Sequence, residues 1–143
     1  MKNDPKRSRF VILHHEVGTK LARTDNSHYD WMFDVGGTLR TWATDPLFVW
    51  DQPSDVACDR LSDHRLAYLD FEGEMDAGRG RVTPVLAGTF RLLDDRVDRF
   101  VAELFWNDGA IAREATVTCY RSLPGARLGL EESLWRLFFS PGR

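Results

Sequence analysis

The chain has 143 residues, 43% of them apolar, 12% aromatic and 29% charged, a balance that fills one domain core and excludes a disordered or low-complexity protein. Its net charge of −3, from 22 acidic against 19 basic residues, excludes the strongly basic surface of a non-specific nucleic-acid binder, so any phosphate affinity is local. Cys58 and Cys119 form no CxxC pair, which excludes a disulfide scaffold or a cysteine-only zinc site and leaves two buried thiols.

The start, Met1 to Arg7, is charged and leads into no secretory apolar stretch, and no apolar run exceeds four residues, far short of the ~20 that a bilayer requires. The expectation is a flexible segment over 1–8, one domain over 9–143, a cytoplasmic location and no membrane. Arg9 to His15 is aromatic and β-branched enough for a first strand. The polar stretch Glu16 to Ser27 follows as a long, mobile connection. His28 to Val35 has period two, with Tyr29, Trp31, Phe33 and Val35 on one side and His28, Asp30, Met32 and Asp34 on the other. Gly36-Gly37 supplies a tight turn into Thr38 to Thr44, which Asp45-Pro46 stops, so the two segments predict a hairpin. Beyond Pro53 the pattern weakens. Arg79 to Val85 and Gly88 to Leu93 read as two short strands around Ala87-Gly88.

Asp95 to Asn107 fits a helix through Val97, Phe100, Val101, Leu104 and Phe105. It also fits a strand, because Phe100, Ala102, Leu104 and Trp106 alternate and lead into the turn signal Asn107-Asp108-Gly109. The strand is the reading taken here, with Ala115 to Arg121 as its partner and Leu134 to Phe139 closing the chain. The fold class is then all-β: a small barrel or sandwich of about eight mostly antiparallel strands with little helix.

Histidine placement carries the chemistry. Residues i and i+2 of a strand share a face, so His28 and Asp30 can present an imidazole and a carboxylate to one cation. A third donor from His14 or His15, at the end of the first strand, completes a set with open positions that suits Mn²⁺, Fe²⁺ or Zn²⁺. Spacing alone also fits a hydrogen-bonded surface pair without metal. His64, within Asp63-His64-Arg65, and Tyr68 read either as loop residues or as catalytic groups. The run Asp70, Glu72, Glu74, Asp76 reads as a solvated strand edge, and Gly78-Arg79-Gly80-Arg81 as a turn.

Taken in order, these segments resemble the 3′-phosphoesterase domain of the bacterial repair enzyme ligase D and its small stand-alone relatives. That family opens on FVIxxH, continues to HYDxRxE and a glycine turn, and reaches a tryptophan strand of the type LxSWA. The corresponding stretches here are Phe10 to His15, His28 to Asp34, and Gly36-Gly37 into Leu39-Arg40-Thr41-Trp42-Ala43. The family segment DHPLDYxDFEG is matched by Asp63-His64-Arg65-Leu66-Ala67-Tyr68-Leu69-Asp70-Phe71-Glu72-Gly73, and a GTF strand by Gly88-Thr89-Phe90. The resemblance covers residues 9 to 93.

The resemblance implies a divalent metal, Mn²⁺ first with Zn²⁺ or Fe²⁺ as alternatives, held by His15, His28 and Asp30. It implies His64 and Tyr68 as catalytic residues acting on phosphate. The implied reaction is hydrolysis that trims a phosphate or ribonucleotide from the 3′ end of a DNA or RNA primer strand, in company with repair proteins; a smaller phosphate ester is the other substrate class. The family arginine two residues after the HxD aspartate is Met32 here, and methionine cannot fork onto phosphate. The basic residue of the family's WAVPKGP segment has no counterpart, and about seven residues are inserted after the first ligand. Arg65, with Lys20 and Arg23, is the candidate to restore phosphate-binding charge. Met32 and the acidic balance favour a second reading, a catalytically inactive relative serving as a metal- or nucleic-acid-binding module.

Overall fold

The computed structural model describes residues 6–17, 27–45, 49–75, 80–122 and 134–142. Its strands are β1 (Ser8–Val17), β2 (His28–Val35), β3 (Thr38–Thr44), β4 (Ser54–His64), β5 (Gly73–Glu74), β6 (Gly80–Arg96), β7 (Arg99–Asp108), β8 (Ile111–Arg121) and β9 (Trp135–Pro141), with one 3₁₀ turn at Leu66–Leu69. All pairings are antiparallel, in the order β1-β2-β3-β4-β9-β8-β7-β6, and β6 returns to β1 to close an eight-stranded barrel. The short β5 adds to the start of β6. The choice between barrel and sandwich is thus settled by the β1–β6 seam. Among the described residues no helix is long and apolar enough to cross a membrane.

The predicted β2–β3 hairpin forms around Gly36 and Gly37, whose φ angles of 65° and 96° suit a two-residue hairpin turn that side chains other than glycine resist. Phe33 lies at the centre of the barrel interior, its ring 5.0 Å from Phe100, 5.3 Å from Phe90 and 6.1 Å from Trp42. The helical alternative for 95–107 is absent: Val97-Asp98 turns the chain and β7 alternates as predicted. Two segments differ from the sequence reading. β4 forms where the pattern weakens, and 80–96 is one continuous strand instead of two. Ala87-Gly88 makes no turn, because Gly88 sits opposite Phe10 where a Cβ would lie 2.1 Å from the Phe105 carbonyl oxygen. Glycine there permits close approach of two strands. Nearby the ladder passes from Ile12–Leu86 to Leu13–Pro84 and skips Val85 in a bulge.

The run Phe10 to Leu13 is apolar without alternation because both of its faces are buried. Phe10 and Ile12 point into the barrel. Val11 and Leu13 belong to a second, outer core with Met32, Leu39, Leu69 and Val82, over which Tyr68, Phe71 and Met75 pack. The segment 66–75 therefore straps the outside of β1–β3. Arg9 holds it there through a two-armed contact with Asp70, Nη2 to Oδ1 at 2.7 Å and Nη1 to Oδ2 at 3.3 Å.

Candidate metal centre

The rim of this outer core is polar. β1 and β2 pair so that His15 stands opposite His28 and Leu13 opposite Asp30, which puts both imidazoles and the carboxylate on the outer face. One ligand atom from each of the three lies within 4.8 Å of the other two. His28 Nε2 is 3.2 Å from Asp30 Oδ1, His15 Nδ1 is 3.8 Å from Asp30 Oδ2, and the two rings meet edge to face at 4.9 Å. Donors sharing one ion at bond lengths near 2.1 Å stand roughly 3–4 Å apart, and the two histidine–carboxylate contacts fall in that range.

Asp30 supplies the test of whether the set suits a cation. It is 4% exposed, and its Oδ1 has no hydrogen-bond partner among the described residues, with His28 Nε2 standing 3.2 Å away. A buried carboxylate oxygen left in that state is costly unless a positive charge faces it. Two imidazoles and one carboxylate are the donors that borderline divalent ions take, so the residues present fit the group. His14, the alternative that spacing leaves open, is on the opposite face. It stacks on Tyr29 at 4.6 Å, with Glu16 at 4.0 Å.

His64 is the last residue of β4, opposite Leu39 and therefore on the same outer face. Strand geometry puts its backbone roughly 16 Å from that of Asp30, so it addresses a different part of any ligand than the three donors do. Its ring meets Tyr68 edge-on at 5.5 Å, and Tyr68 in turn meets Phe71 at 5.8 Å. Arg65 precedes the 3₁₀ turn in extended conformation, exposed to solvent, and its carbonyl accepts the Tyr68 N–H at 3.1 Å. Met32 is buried in the outer core beneath the strap. An arginine at that place would have to displace apolar packing. Lys20, Arg23, Asp76, Gly78 and Arg79 lie outside the described residues, as does most of the 16–27 connection.

Local electrostatics are set by pairs. The Arg9 guanidinium holds the Asp70 carboxyl below the usual carboxylate range, and Asp70 raises Arg9 in return, chiefly through their hydrogen bonds. Of the acidic run read as a strand edge, Glu74 lies on β5 and reaches Arg81 at 3.8 Å, whereas Asp70 and Glu72 are in the irregular stretch before β5 and Asp76 lies outside the described residues. Sequence reasoning missed Thr41, whose fully buried side chain touches His64. Its one signal is a hydroxyl on a strand position that is otherwise apolar. No family model matches the chain, and no curated protein is similar to it.

Proposed function

We propose that the barrel is a metal-dependent phosphoesterase that hydrolyses phosphate esters, by resemblance those at the 3′ ends of DNA or RNA primer strands, in the cytoplasm and alongside repair proteins. The observation that carries this reading is the buried Asp30 oxygen without a hydrogen-bond partner among the described residues, set between two part-exposed histidines on the outer barrel face. His15, His28 and Asp30 would hold the cation, Mn²⁺ before Zn²⁺ or Fe²⁺. Such an ion, when bound, polarises a phosphoryl oxygen and lowers the pKa of its water. Asp30 would supply the negative charge that retains it, and the two imidazoles would complete the donor set. His64 exchanges a proton with the ester, Tyr68 offers its hydroxyl to a phosphoryl oxygen, and Arg65 contributes the positive charge that Met32 cannot.

The burial of Met32 favours a second reading, a non-catalytic module that keeps the cation and binds nucleic acid. One experiment separates the two. Purified protein with Mn²⁺ is given primers ending in a 3′-phosphate or 3′-ribonucleotide and a generic phosphodiester, while Mn²⁺ binding is followed by calorimetry. Turnover that His28→Ala abolishes and His64→Ala lowers at least about 100-fold supports the esterase. Mn²⁺ binding without turnover supports the module, and absence of Mn²⁺, Zn²⁺ and Fe²⁺ binding removes both.

A further inference from the structure

His64 Nδ1 sits between two oxygens, the Ser62 carbonyl at 2.9 Å and Thr41 Oγ1 at 3.1 Å. A carbonyl oxygen can only accept. The Thr41 hydroxyl has a single proton, for which the Leu39 carbonyl at 3.0 Å is an oxygen acceptor. Because Thr41 is fully buried, no water offers that proton another acceptor. With its proton there the hydroxyl presents lone pairs to His64, and the Ser62 carbonyl presents lone pairs alone whichever way the hydroxyl turns. Were Nδ1 unprotonated, it would face the Ser62 carbonyl lone pair to lone pair at 2.9 Å, at the cost of an unmade hydrogen bond at a part-buried site.

We propose that Thr41 and the Ser62 carbonyl fix His64 as the Nδ1–H tautomer, which makes Nε2 the nitrogen that exchanges a proton with a bound phosphate ester and makes Thr41 a positioning residue. The role toward the ester rests on the phosphoesterase reading; the tautomer does not. In its neutral form His64 takes a proton at Nε2, and as the imidazolium it returns one there, while Nδ1–H stays bound to the strand. The arrangement follows from the bulge in the β3–β4 ladder between Leu39 and Thr41, where the register slips and His64 Nδ1 lies within hydrogen-bond reach of a hydroxyl on the neighbouring strand.

Nitrogen NMR of uniformly ¹⁵N-labelled protein at pH 8 reads the tautomer directly, with the His64 signals assigned by their loss in His64→Gln. Nδ1 is expected at the protonated, pyrrole-type position and Nε2 at the unprotonated, pyridine-type position; the reverse assignment in the wild-type protein overturns the proposal. Thr41→Val removes the hydroxyl at constant shape. It is expected to broaden or mix the His64 signals and to lower kcat about tenfold to a hundredfold, with KM and Zn²⁺ affinity within twofold, and Thr41→Ser is expected to restore both. An unchanged kcat and spectrum in Thr41→Val overturns the positioning role. If no ester is turned over, the phosphoesterase reading fails, while the wild-type spectrum still decides the tautomer, as it does if Thr41→Val does not fold.

Discussion

At Asp30, charge and burial are in direct conflict. Its carboxylate is nearly inaccessible and one oxygen has no hydrogen bond among the described residues, a local cost that a cation would remove. Asp30→Asn is therefore expected to leave metal-free stability unchanged or raise it by about 1 kcal/mol, and to abolish stabilisation by metal. The wild-type protein should gain about 2.7 kcal/mol at a metal concentration 100-fold above Kd. Melting curves of both proteins with Mn²⁺ and with chelator check the pair of signs; a variant that still responds to Mn²⁺ would show that Asp30 is not a ligand. The shared face of His28 and Asp30 was legible from strand alternation, and the choice of His15 over His14 came from the order of motifs. The burial of Asp30 was not legible, because it depends on tertiary packing that a strand period does not record. Thr41 was invisible for a different reason: a hydroxyl adds nothing to a hydrophobic period, and its contact with His64 depends on a register slip.

Among the strands, legibility tracks how cleanly the two faces differ. β2 and β3 alternate, carry a glycine turn and were readable in full. β4 has a single fully buried position, Cys58, within Ser54 to His64, so it has almost no apolar period to detect. In β6 the Gly88 signal was real and its meaning was misread. A glycine that allows a close crossing and a glycine that turns the chain look alike in sequence; the difference lies in the Phe105 carbonyl, 2.1 Å from where a Cβ would stand. Gly88→Ala is expected to destabilise the protein by about 2 kcal/mol or more, since backbone must move to admit the methyl group. A urea midpoint equal to that of the wild type would contradict this account of β6. The strap depends on the Leu69 anchor and the exposed Arg9–Asp70 contact. Of these, burial of Leu69 carries more weight than a solvent-screened ion pair.

The molecule as a whole is a ring of strands filled with aromatic rings, and both cysteines face its interior. Burial pushes the Cys58 thiol up to about 12, helped by Asp59, and the Cys119 thiol well above its ordinary value, with Cys58 as a further cause. Both thiols hold their protons more tightly folded than unfolded. Their contribution to stability is fully present below the unfolded thiol value of about 8.5 and is lost as pH rises toward the folded values. The melting temperature should therefore fall above about pH 9. A thiol reagent at pH 8 should label neither cysteine until denaturant is added, and prompt labelling of the native protein would refute the closed, packed interior. The all-β class and the approximate strand number were legible from turn spacing. Closure was not, because the seam joins β1 to a strand that no local pattern links to it.

That seam also sets the order in which the molecule can become complete. The first strand made has one partner in the hairpin that follows, while the rail along its other side stays unanswered until Gly80 to Phe90 has been synthesised. A growing chain thus carries an apolar ribbon with an open edge through much of its synthesis. Its final ring closure is a long-range event, which places folding among slow, non-local topologies rather than fast, local ones.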